Sequence, residues 1–79
     1  MKKRVDYNHD GIRYPIKLTG YALKLLDKQP APTSVAITAA LGAFLGEDDH
    51  MATCQAFCHL HEMSLSVLIE IALSRHLDK

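Results

Sequence analysis

Apolar and polar residues alternate on either side of Asn8-His9-Asp10-Gly11, over Arg4–Tyr7 and Ile12–Leu18, and then give way to helical spacing. Asn8-His9-Asp10-Gly11 is a strong turn signal, because Asn and Asp bond their own backbone and Gly accepts positive φ. With all four residues in the turn, Tyr7 faces Ile12, Val5 faces Tyr14 and Lys3 faces Ile16. Val5, Tyr7, Ile12, Tyr14 and Ile16 then share one face, and Arg4, Asp6, Arg13, Pro15 and Lys17 share the other. Pro15 has no N–H to donate, so its strand is an edge there. A lone hairpin is not stable, so its apolar face must lie on helices.

Four helices follow in the pattern. Thr19 caps a first helix, Gly20 to Gln29, with Ala22, Leu23, Leu25 and Leu26 on its apolar side. Pro30-Ala31-Pro32 ends it. Thr33 or Ser34 caps a second helix that runs to Leu45, with Gly46 as its C-terminal stop. Glu47-Asp48-Asp49 suits the positive end of a third helix that runs to about Met63. Its buried side carries Met51, Cys54, Phe57, Cys58, Leu60 and His61. Ser64 caps the fourth helix, which buries Leu65, Leu68, Ile69, Ala72, Leu73 and Leu77. Ser66, Glu70 and Ser74 form its exposed stripe, and Arg75, His76 and Lys79 suit its negative end.

The chain also repeats itself. Ser34–Leu45 and Ser66–Leu77 agree at six of twelve positions at an offset of 32. Each closes a helix-turn-helix stretch too small to bury its own apolar face, so two copies stacked together supply a core. The predicted fold is α+β and mostly α: an N-terminal β-hairpin over 2–18 packed on four short helices, arranged as two helix-turn-helix copies over 20–45 and 48–77. At 79 residues one domain, 1–79, is expected.

Composition narrows the class. An apolar content of 48% excludes a disordered chain. The longest apolar run, Val35 to Gly46, is shorter than the roughly 20 residues a membrane span needs. Met1-Lys2-Lys3-Arg4 is followed by Val5-Asp6-Tyr7-Asn8-His9-Asp10 rather than by an apolar run, which predicts no signal peptide. A soluble, cytoplasmic protein of a reducing compartment is expected. The formal net charge is zero, yet residues 1–28 carry seven basic and three acidic groups, and residues 29–79 carry two basic and six acidic. A basic end on a neutral protein can face phosphate.

These segments resemble the ribbon-helix-helix family of DNA-binding regulators. Arg13–Leu18 is similar to that family's strand, Gly20–Gln29 to its first helix and Thr33–Leu45 to its second. His61–Leu73 is similar to the family's turn and second helix. The second copy lacks a strand, and Lys2–Tyr7 can stand in for it, so that one chain imitates a dimer. The resemblance implies a two-stranded ribbon in the DNA major groove, with Arg4, Arg13 and Lys17 as base-edge readers. It also implies phosphate contacts at the helix N-termini, at Thr33 and Ser34 and at Ser64 and Ser66 of the second copy. The same strand residues also read as a solvated face with cross-strand ion pairs, and Asp6 sits among them.

Other chemistry is weaker. His50, Cys54, Cys58 and His61 lie on one predicted helix, but His50 and Cys58 are about 12 Å apart along its axis. One zinc ion can use only an adjacent pair, so no metal site is expected and both cysteines read as small buried hydrophobes. Cys58 and His61 lack an orienting third group, and no phosphate loop or serine elbow is present, so no enzyme and no cofactor are expected. The second functional class is a protein-interaction module, an antitoxin-like or inhibitory partner of a larger protein, with an apolar patch near Phe57, Leu60 and Met63. A core this small also makes a homodimer a reasonable expectation.

Overall fold

The computed structural model describes residues 2–46 and 50–77. Strand β1 (Lys2–His9) and strand β2 (Ile12–Thr19) form a two-stranded antiparallel hairpin. Helices α1 (Gly20–Asp27), α2 (Thr33–Phe44), α3 (Met51–Leu60) and α4 (Leu65–Leu77) follow. The expectations placed on Glu47-Asp48-Asp49 and on Lys79 lie outside the described residues.

The hairpin turns on two residues, not four. Asp10 and Gly11 have φ of 51° and 78°, the paired left-handed conformation of a type I′ turn, whose twist matches the strands. His9 therefore pairs with Ile12, Tyr7 with Tyr14, Val5 with Ile16 and Lys3 with Leu18. This corrects the predicted register by two residues. An even shift leaves every side chain on its predicted face. Tyr7, His9, Ile16 and Leu18 are buried on the inner face, with Val5 and Tyr14 half-buried. Ile12 shares that face but stands 56% exposed beside the turn, beyond the helices.

The helices keep their predicted order with shifted ends. Thr19 caps α1, its side chain accepting a hydrogen bond from the Ala22 N–H at 3.3 Å. The N-cap of α2 is Pro32, with no side-chain cap bond; Thr33 is already helical and the Ser34 hydroxyl is engaged elsewhere. α3 stops at Leu60 rather than Met63. Glu62 takes φ of 53°, and the Met63 N–H donates to the Cys58 carbonyl at 2.9 Å, closing the helix as a Schellman turn with Glu where glycine is usual. Leu60 and His61 consequently lie in solvent, not on the buried side of α3. Ser64 accepts from the Val67 N–H at 3.3 Å and caps α4 as expected.

One apolar cluster joins all six elements, from Tyr7 and Ile16 through Ala22 and Leu26 to Ile37, Cys54 and Ile69. Two copies related by an approximate two-fold build most of it. At an offset of nine, Tyr7 and Ile16 are both buried, as are His9 and Leu18, while Val5 and Tyr14 are both half-buried. At an offset of 32, Ala36 and Leu68, Ile37 and Ile69, Ala40 and Ala72, and Leu41 and Leu73 are all buried. α2 packs on β1 as α4 packs on β2, and α2 and α4 pack on each other. α3 breaks the relation: α1 and α3 both pack on α4. Among the described residues, no single helix is long and apolar enough to cross a membrane.

Candidate nucleic-acid interface

The outer face of the hairpin is built from the polar half of the alternation. Its cross-strand pairs are Lys2 with Thr19, Arg4 with Lys17, Asp6 with Pro15, and Asn8 with Arg13. All of them are exposed except the half-buried Thr19. Closure at His9 and Ile12 makes these the non-hydrogen-bonded pairs, so their N–H groups point out from the ribbon's edges. Pro15 occupies such a position, where its missing donor costs no ladder bond. The two-fold passes through the Asp6–Pro15 pair and relates Arg4 to Arg13 and Asn8 to Lys17.

The free edges receive the first turns of two helices. The Asn8 N–H donates to Ser34 Oγ at 3.0 Å, and the Lys17 N–H donates to Ser66 Oγ at 2.9 Å. The Thr19 N–H donates to Glu70 Oε1 at 2.7 Å. Ser66 and Glu70 therefore do not form a solvent stripe as predicted: they satisfy the edge of β2. The amino ends of α2 and α4, which carry partial positive charge, so flank the ribbon on opposite edges. Thr33 is exposed at one of them, and Ser34 is half-buried against Asn8.

Beneath the ribbon, Tyr7 Oη bonds His9 Nδ1 at 2.7 Å and Thr38 Oγ1 at 2.8 Å, and Thr38 Oγ1 donates to the Ser34 carbonyl at 2.9 Å. This chain ties the inner face of β1 to the start of α2. Charge on the outer face is uneven. Arg4 and Lys17 stand together at one end, and Arg13 stands with neutral Asn8 at the other. At the centre, Asp6 lies 3.7 Å from Arg4. Lys2 reaches Glu70 at 4.0 Å.

Arg4, Arg13 and Lys17 thus share one exposed surface, with Ser34 and Thr33 at its margin. Asn8, set in the turn by the sequence reading, is a further member of that surface. The Asp10-Gly11 pair, a strong two-residue hairpin signal in its own right, could have revealed it.

The other predicted groups are separate. Phe57 packs edge-on against Phe44 with ring centroids 5.6 Å apart and lies over His61 at 4.2 Å, while Arg75 sits over Phe44 at 5.4 Å. Met63 is half-buried, and Leu60 alone of the expected patch is open, at 76% exposure. An open groove of about 590 Å³ runs along α2 between Asn8, Val35, Thr38 and Ala43. Cys54 and Cys58 are buried thiols, and burial raises the Cys58 pKa above its ordinary value. Among the described residues, no three His, Cys, Asp or Glu side chains converge on a point that could hold a metal ion.

Comparison with protein families, with curated proteins and with solved structures finds no match.

Proposed function

We propose that this protein is a small DNA-binding regulator that inserts its hairpin into the major groove. The observation that carries this reading is the exposed outer face with Arg4, Arg13 and Lys17, bracketed at both edges by the amino ends of α2 and α4. The major groove admits a two-stranded ribbon, and Arg and Lys suit guanine edges there. Helix amino ends beside it suit the flanking phosphates. In this reading one polypeptide does what ribbon-helix-helix regulators do with two. The alternative, a protein-interaction module docking through Phe57, Leu60 and Met63, has less support, because Phe57 is engaged with Phe44 and His61.

The test is fluorescence anisotropy with random-sequence duplex DNA at low and high salt. Binding should weaken steeply as salt rises, since phosphate contacts release counterions. Arg13→Ala should weaken it further. Unchanged binding after Arg4, Arg13 and Lys17 are all replaced by Ala would reject this surface.

A further inference from the structure

We infer that the DNA-reading unit is a single chain and that the duplex it takes is non-palindromic, an inference that rests on the DNA-binding reading above. A ribbon assembled from two identical chains is symmetric, and its site mirrors that symmetry. Here both strands belong to one chain, and the two-residue turn at Asp10-Gly11 fuses them. The burial pattern and the paired bonds from Asn8 to Ser34 and from Lys17 to Ser66 preserve the two-fold in the backbone. The outer side chains keep it at one pair of positions only.

Arg4 and Arg13 are two-fold mates and present the same guanidinium to two related base steps. Asn8 and Lys17 are also mates, and they differ in chemistry. Asn suits adenine, which offers an acceptor and a donor side by side, whereas Lys donates to guanine. Asp6 and Pro15, at the axis, are unlike as well: only Asp6 can accept from the cytosine amino group. One end of the ribbon therefore offers Arg4 and Lys17, with Lys2 beyond them turned toward Glu70, and the other offers one cation and an amide. Two residues separate successive outer pairs, so the three pairs span roughly 14 Å. That is about four base-pair steps of duplex. The ligand class is a short duplex element with guanine at both ends of that span and different bases beside them.

The experiment is selection by the intact protein from a library of duplexes with a randomised core of about ten base pairs, one helical turn. Sedimentation then gives the mass of the complex with the selected duplex. One chain per site and a non-palindromic consensus are expected. Arg4→Ala should relax preference at one end and Arg13→Ala at the other, each lowering affinity about tenfold to a hundredfold. Lys17→Asn gives the Arg4 pair and the Arg13 pair the same two side chains and should move the consensus toward a palindrome. The Lys17 side chain is exposed and only its N–H bonds Ser66, so the fold is retained, which circular dichroism checks. Two chains per site, a palindromic wild-type consensus, or a consensus that Lys17→Asn leaves unchanged would overturn the inference. Salt-sensitive binding without enrichment would overturn it while keeping DNA binding. No duplex binding at all would remove the reading on which it rests.

Discussion

Tyr7 is the residue on which the hairpin's docking turns. Its ring is fully buried, and its hydroxyl joins His9 to Thr38. Because Thr38 gives its own proton to the Ser34 carbonyl, its oxygen accepts from Tyr7, and the Tyr7 oxygen accepts from His9 Nδ1. Tyr7→Phe keeps the ring and strands both neighbours, so it should cost about 1–3 kcal/mol. Urea denaturation checks this: the midpoint should fall with the slope unchanged. The half-buried Tyr14 is the control, and its Phe variant should stay within about 0.5 kcal/mol. Cys58 makes a different claim, on pH. Its raised pKa means that the folded state holds the thiol proton to higher pH than the unfolded state does. This contribution to stability is constant below the ordinary thiol pKa of about 8.5 and is lost as pH rises above it. Wild type should lose stability through the alkaline range more steeply than Cys58→Ala, as read from denaturation midpoints over about pH 7 to 10.

Among the elements, α2 and α4 each close one edge of the hairpin, and each does so through a serine in its first turn. Ser66→Ala should speed hydrogen exchange at the Lys17 amide and cost about 0.5–1.5 kcal/mol. Ser34→Ala should do the same at Asn8. Acceleration at both amides in either variant would mean that the ribbon opens as one unit rather than edge by edge. The two serines also show where a sequence can be read and where it cannot. Their offset of 32 marks the repeat, and alternation puts Tyr7 and Ile16 inside and Arg4 and Arg13 outside. Spacing alone does not say that Ser66 and Glu70 face a strand rather than water, because helical period identifies a face and not its neighbour. The register differs from the expected one by two residues because alternation fixes parity only. The end of α3 is hidden in the sequence because Glu62 holds a conformation usually marked by glycine. Within the candidate site, the three cations are legible from the strand pattern. Asn8 is legible only if Asp10-Gly11 is taken as the whole turn, and which outer residues are two-fold mates is not legible, since both depend on the register.

For the whole molecule, zero net charge conceals a division: the basic excess of residues 1–28 lies largely in the hairpin, and the acidic excess lies in residues 29–79. In the proposed DNA-binding reading, affinity for phosphate depends on the local field of one face and not on the total. Asp6 is the acidic group at the centre of that face, 44% exposed and 3.7 Å from Arg4. It repels phosphate and holds back one of the three cations. Asp6→Asn preserves size and removes both effects. Binding to random duplex DNA should strengthen about threefold to tenfold near 50 mM salt, with the logarithmic salt slope steeper by about one as Arg4 becomes free to displace a counterion. The gain should fade toward high salt, where an exposed charge is screened within a few ångströms. Folding stability should hardly change, since the ion pair is exposed and such pairs contribute little. Anisotropy titrations across a salt series separate these outcomes. Equal or weaker binding by Asp6→Asn at every salt concentration would mean that the duplex meets some other surface. Specificity should move the opposite way: if Asp6 accepts from a cytosine amino group, its loss should flatten preference at the centre of the bound site while raising affinity for every sequence.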